Sequence, residues 1–294
     1  MSKINSKVYY SNYYGHKVKD LDIIYKCVKN SGNNKRIVYF AGDSSLDNKH
    51  YILNKTAEPA INGYEKVLDP PIMAKDICYH LTKCICDNNV NNTFVLNCAV
   101  EEATLGSKQY GLSQQDKLIQ KNITSNDILI VSCGGNDLAL HPSMGTIWNM
   151  FKLITFNSKE YIKRNPNGAW GMEHFVKLFR NDMTTYINEL VLKTKPKKVI
   201  VCTIYYPDKN ITNSWADSVL SKLDYNTDPE KLQLIIQHIH REAICKIEIE
   251  GVEIVPFPLY TILDGDISND YVGRVEPSDQ GGCKIANALF EHLL

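Results

Sequence analysis

Four short polar stretches of this chain carry side chains that could do chemistry together. Gly42-Asp43-Ser44 ends the apolar run Ile37 to Ala41, and Glu101-Glu102-Ala103-Thr104 ends the apolar run 93–100. Gly134-Gly135-Asn136-Asp137 follows Ile128 to Cys133, and Glu276-Pro277-Ser278 stands just before the last helical pattern. A serine at the carboxyl end of a buried strand lies where open α/β sheets gather their ligands, and it can serve there as a nucleophile. When serine attacks a carbonyl, charge collects on the carbonyl oxygen. N–H donors aimed at that oxygen in advance stabilise the charge, and an asparagine amide is one such donor. Gly, Asp and Ser are also ordinary turn residues, so the tripeptide 42–44 gains weight only from its partners.

Those stretches meet only if the segments between them fold as crossovers. Apolar periodicity predicts helices over 17–30, 72–86, 112–120, 172–193, 229–249 and 281–293. Asp228 and Pro229 fit the N-cap and first position of the fifth. Continuous apolar runs predict strands over 37–41, 93–100, 128–133, 198–206 and 252–259. Strands alternate with helices with no hairpin signal between them. This predicts a three-layer α/β/α sandwich around a five-stranded parallel sheet, in a single domain over 1–294 with a helical extension, 1–35, packed on it. Right-handed crossovers put all strand ends of one sense on one edge, where the four polar stretches would meet. Residues 45–71 read as a polar connection. Residues 141–171 read as a helix and a long loop, and 207–227 as a polar insertion; both are expected at the pocket rim. Their Trp148, Trp170 and Trp215 are candidate stacking surfaces for a sugar or an acyl chain, or else core aromatics.

Taken together, the stretches resemble the SGNH (GDSL) hydrolase superfamily over roughly residues 36–293. The resemblance implies a flavodoxin-like sheet, with Ser44 as nucleophile and Asn136 as side-chain donor of the oxyanion hole. Two blocks depart from the family pattern. In Asn97-Cys98-Ala99-Val100-Glu101-Glu102-Ala103-Thr104, Glu102 stands where the family has glycine. Its backbone N–H could still donate, but its carboxylate would repel an oxyanion unless turned away or protonated. In Gly273-Arg274-Val275-Glu276-Pro277-Ser278, Glu276 stands at the histidine position and Gly273 at the aspartate position. The usual Ser-His-Asp relay is therefore missing from its expected place. Glu276 is either the base or a cap of the last helix. His141 is the histidine nearest in sequence to a site block.

The expected site is rich in carboxylates: Asp43, Glu102, Asp137 and Glu276, with Asp47 and Asp270 near in sequence. One of them could hold a proton, Arg274 or Lys108 could neutralise them, or a hard divalent cation could bind. Ser44, Asn136, Glu276 and Glu102 are the catalytic candidates; Asp43, Asp137, Trp148 and Trp215 are the substrate-facing ones. No metal-loop spacing or cofactor motif is present. The expected activity is hydrolysis of an ester, such as an O-acyl group on a sugar or lipid. The alternative is a catalytically silent fold that binds a carbohydrate or a protein.

Lys plus Arg and Asp plus Glu each number 33, so no net basic field argues for nucleic acid. No run approaches ~18 apolar residues, and the polar start lacks a signal-peptide core. The nine scattered cysteines are odd in number and fit free thiols in a reducing compartment. A cytoplasmic location is the expectation.

Overall fold

The computed structural model describes residues 3–31, 35–52, 57–90 and 92–294. Part of the expected connection 45–71 (residues 53–56) and of the polar run after the first helix (32–34) lies outside the described residues. Five strands form the central sheet: β1 Arg36–Gly42, β2 Thr93–Asn97, β3 Ile128–Ser132, β4 Lys198–Thr203 and β5 Glu253–Pro258. All neighbours are parallel, in the order β2-β1-β3-β4-β5. β1, β2 and β3 are buried almost throughout, as continuous Val, Ile, Leu and Phe runs require when helices cover both faces.

The chain reverses direction across the sheet after β2, so β1 and β3 flank the switch point where ligand crevices form. Gly42 has φ +117°, and a Cβ there would lie 1.7 Å from the Ser132 carbonyl oxygen. Only glycine lets the end of β1 run this close to the end of β3.

The covering helices are α1 Val18–Lys29, α2 Ile77–Asp87, α3 Gln114–Asn122, α4 Met144–Phe156, α5 Met172–Lys177, α6 Met183–Leu190, α7 Ala216–Lys222, α8 Pro229–Glu242 and α9 Asp279–Phe290. α1, α3 and α9 follow the sequence periodicity. Several elements differ from it for local reasons. Ile72–Ala74 pairs antiparallel with Ala57–Pro59, so α2 begins only at Ile77, where the Asp76 side chain accepts from the Tyr79 N–H at 2.7 Å. The pattern over 172–193 is broken by a π-turn, Leu178–Asp182, which leaves the 3–4 repeat intact to the eye. α8 stops at Glu242, and Ile244–Lys246 continues as a 3₁₀ turn. Asp228 does not cap α8 with its side chain; its carboxylate takes the Lys159 ammonium at 3.2 Å instead.

Residues 141–171 hold more helix than expected: α4 is followed by Lys159–Arg164 and a 3₁₀ turn, Pro166–Gly168. The polar insertion 207–227 contains α7. A small hairpin pairs Tyr271–Val272 with Glu276–Pro277, although neither strand is long enough to leave a sequence pattern. His238 of α8 is buried, with no hydrogen-bond partner on either ring nitrogen among the described residues. Among the described residues no helix is long and apolar enough to cross a membrane.

Because the Gly42 contact is with backbone, no side chain can swing aside to admit a methyl group. Gly42→Ala is therefore expected to cost at least ~3 kcal/mol. A urea-unfolding midpoint indistinguishable from the parent would contradict this.

Candidate active site

Asn48 ties the turn after β1 to the rest of the site. Its side-chain amide donates to the Pro277 carbonyl at 3.0 Å, and its oxygen accepts from the Ile77 N–H at 3.0 Å. One buried side chain thus joins the serine turn, the start of α2 and the strand that carries Glu276. The hairpin's far end is held by Arg274, which is fully buried. Its Nη1 donates to Asp217 Oδ1 and Asn226 Oδ1, each at 2.8 Å, and its Nε donates to the Asp208 carbonyl at 3.0 Å. The Asp208 N–H returns a bond to the Arg274 carbonyl at 2.9 Å. A guanidinium out of water demands this saturation. It fastens the hairpin to the segment that bears α7.

These two fastenings bring Ser44 and Glu276 to one cleft of about 780 Å³, open to solvent. Asp43, Asn136 and Trp215 also line it. Its deeper wall is apolar: Leu138 and Ile204 on one side, Val219 and Leu220 from α7, Leu232 and Ile236 from α8. Asn136 sits on a short helix, Gly135–Ala139, that opens at Gly134 with φ +118°; a Cβ there would strike the Phe179 ring at 2.5 Å. The Asn136 amide donates one hydrogen to the Ala103 carbonyl at 3.1 Å, which fixes its plane and leaves its second N–H for a ligand.

Glu276 is buried, and burial is the main reason its carboxyl is pushed up to about 8. The Ser44 hydroxyl beside it favours the charged form, the Asp43 charge disfavours it, and the Tyr51 hydroxyl again favours it. Its Oε2 has no hydrogen-bond partner among the described residues. The last helix is capped by Ser278, whose Oγ accepts from the Gly281 N–H at 3.1 Å, so Glu276 is not its cap. Asp43 is likewise raised, to about 6, first by burial and against the pull of Ser45, whose N–H donates to its Oδ1 at 3.0 Å.

The other expected residues are placed as follows. Asp137 accepts from the Leu105 and Gly106 N–H groups at 2.7 and 2.8 Å; it fastens the turn after β2 and does not line the cleft. Glu102 has φ +59°, a left-handed conformation in which glycine is the ordinary residue. Its carboxylate is turned aside, accepting from Tyr13 Oη at 2.8 Å and lying 3.4 Å from His141 Nε2. With Tyr13, His50, Tyr51, Leu140 and Trp215 it lines a second, shallower opening. Trp215 borders both openings; Trp148 and Trp170 border neither.

Arg274 is engaged as described and Lys108 is paired with Asp116, so neither forms an ion pair with Asp43 or Glu276. Asp270 is held by Lys284 at 2.6 Å. Among the described residues no histidine lines the main cleft, and no group of three His, Cys, Asp or Glu side chains is disposed to hold a metal ion.

Lys49 stands outside the motif blocks. It is fully buried under the serine turn, paired with Asp47 and with Glu101 Oε1 at 2.6 Å. Glu101 also accepts from the Gly15 N–H at 2.6 Å, and Asp47 accepts from the Asn97 amide at 2.9 Å. Burial holds the Asp47 carboxyl above its ordinary range, with Lys49 pulling it back. A lysine three residues past a polar turn reads as a surface residue. The one available signal is its company: Asp47 and Glu101 in the turns that follow β1 and β2, and Asn97 at the end of β2.

No family model and no curated protein matches the sequence. The chain is similar to several solved structures. An acetyl xylan esterase from Geobacillus stearothermophilus is 15% identical at a TM-score of 0.44, covering 88% of this chain and 94% of that one. A lipase/acylhydrolase from Enterococcus faecalis is 12% identical at 0.44, covering 88% and 95%. An extracellular lipase from Streptomyces rimosus is 12% identical at 0.44, covering 87% and 99%.

The Glu276 environment makes a prediction about stability. An unfolded glutamate titrates near ~4.3, whereas here the folded carboxyl holds its proton up to about 8. The folded state therefore binds the extra proton between those values, and its stability falls as pH rises across that window. Glu276→Gln lacks this loss. Its melting temperature relative to the parent is expected to climb from pH 5 to pH 8 and then level off, for a gain of a few kcal/mol. A difference that stays flat over that range would show that the carboxyl is not desolvated.

Proposed function

We propose that the chain is a serine hydrolase of carboxylic esters, of SGNH type, in which Glu276 takes the place of the usual histidine. One observation carries the reading. Ser44, Glu276 and Asn136 border the same cleft, and the Glu276 carboxyl lies beside the Ser44 hydroxyl with no cation paired to it among the described residues. In the ionised form Glu276 accepts the hydroxyl proton as Ser44 Oγ attacks the ester carbonyl. The second Asn136 N–H and the Ser44 backbone N–H receive the oxyanion. The protonated Glu276 then returns its proton to the departing alcohol. Water, activated in the same way, releases the acyl group.

The wall formed by α7 and α8 suits an acyl chain of several carbons better than an acetyl group. Apolar side chains line it, and each methylene that leaves water there contributes about 0.8 kcal/mol. The polar opening past Trp215, with Tyr13, His50 and Glu102, suits a hydroxyl-bearing leaving group.

A catalytically silent cleft is the rival reading, and one observation favours it. A carboxyl raised to about 8 is mostly neutral at pH 7 and is then no base. The pH profile separates the two. Activity of the hydrolase should rise with pH through about 8, as Glu276 ionises. Glu276→Gln should remove that limb together with at least ~100-fold in kcat. Ser44→Ala should abolish turnover and block labelling by a fluorophosphonate, and Asn136→Ala should cost ~100-fold or more. Rates on p-nitrophenyl esters should increase from acetyl to octanoyl. Failure of the fluorophosphonate to label Ser44 at pH 9, with no turnover of any ester, would leave the silent cleft standing. Turnover confined to the acetyl ester would overturn the acyl-chain assignment alone.

A further inference from the structure

α4 reads Met-Gly-Thr-Ile-Trp-Asn-Met-Phe-Lys-Leu-Ile-Thr-Phe, and its apolar residues run round both sides. Thr146, Met150 and Leu153 face the protein. Met144, Ile147, Trp148 and Phe151, at the i, i+3, i+4, i+7 positions of one outer stripe, face solvent, as does Phe156 one turn on. A helix apolar on every side belongs in an interior, not at a water boundary. The stripe is continued by Trp170, which is 54% exposed. Its backbone is pinned to the end of α4 by Asn157, which accepts from the Trp170 N–H at 2.9 Å and donates to its carbonyl at 3.2 Å. The aromatic rings are ordered into a row: Trp148 stacks on Phe151 at 5.6 Å, Phe151 meets Phe156 edge-on at 5.6 Å, and Phe156 leans on Trp170 at 5.2 Å.

Cations accompany this row. The Lys152 ammonium lies 5.3 Å from the Trp148 ring centre and 5.0 Å from that of Trp170. On the next helix Lys159 is taken up by Asp228 and Glu230. Lys152, Lys163 and Arg164 have no carboxylate partner among the described residues, and Glu160 is the one acidic residue between 141 and 171. Between residues 141 and 171 four basic residues stand against one acidic one, and of the basic ones Lys152 lies on the aromatic stripe itself. Tryptophan rings favour the boundary between hydrocarbon and water, and lysine stems lie along apolar surface while the ammonium reaches phosphate.

We propose that the outer face of α4, with Trp170, docks the protein on an anionic lipid surface: the aromatic row enters the headgroup region and Lys152 meets lipid phosphate. Such a helix lies in the plane of the interface and does not cross it. The short helix that carries Asn136 packs against α4. The docking does not depend on the chemistry of Ser44.

The test is co-sedimentation of the full chain with phosphatidylcholine vesicles containing ~30 mol% phosphatidylserine, against phosphatidylcholine alone. Binding is expected to the anionic vesicles, with a blue shift of tryptophan emission and several-fold loss on raising salt. Trp148→Ala combined with Phe151→Ala should lower the bound-to-free ratio at least ~10-fold, and Lys152→Glu at least ~5-fold. Both sets of changes lie on the surface, and an unchanged circular-dichroism melt would show that the fold is kept. Absence of binding to the anionic vesicles would overturn the proposal, as would binding that the double substitution leaves unchanged. A concentration-dependent dimer that the double substitution dissolves, without vesicle binding, would assign the face to a second copy of the chain instead.

Discussion

The site depends on one costly act: taking the Glu276 carboxyl out of water with no positive charge set against it. Placing a lysine or arginine there would have lowered the cost and, under the mechanism proposed above, ended the residue's usefulness as a base, because a paired carboxylate is a poor proton acceptor. The fold instead puts its buried cations one layer away. Lys49 neutralises Asp47 and Glu101 beneath the serine turn, and Arg274 serves Asp217 behind the hairpin. Each charged pair stiffens a neighbour of the site without touching the site itself. The hydroxyls of Ser44 and Tyr51 are what Glu276 meets, and the Tyr51 hydroxyl is made harder to ionise first by its own burial and then by the Glu276 charge.

The sheet could be read from the chain because its strands are buried on both faces. A run such as Phe94 to Leu96 leaves no ambiguity about what water must not reach, and the polar turns after β1 and β3 follow at once. For the same reason the placement of Ser44 and Asn136 at one edge is legible in the sequence. Glu276 was harder, since its position depends on a hairpin of two-residue strands whose register is set by distant bonds from Asn48 and Arg274. No local pattern encodes such bonds.

The residues that sequence misplaced are mostly polar ones whose partners are remote. Lys49 and His238 look solvated because lysine and histidine usually are, and only the packed fold shows that neither is. Asp137 and Glu102 illustrate a second difficulty. Both stand in the motif blocks, yet their carboxylates turn toward backbone N–H groups and Tyr13, respectively, and away from the cleft. A motif specifies a position on the backbone; the direction of its side chain is decided by neighbours that the motif does not contain.

Arg274 has a consequence for how this chain could change over generations. The guanidinium fastens the strand bearing Glu276 to the same segment whose helix, α7, supplies the wall of the cleft. The wall and the Glu276 carboxyl therefore ride on a single lever. A substitution that widens the cavity by shifting α7 also tilts the hairpin and moves the carboxyl relative to Ser44. Drift toward bulkier or smaller ligands is then tied to a change in reactivity. Lineages exploring new ligands would be expected to alter side chains on α8, which lines the cavity from outside that linkage, before altering the backbone of α7.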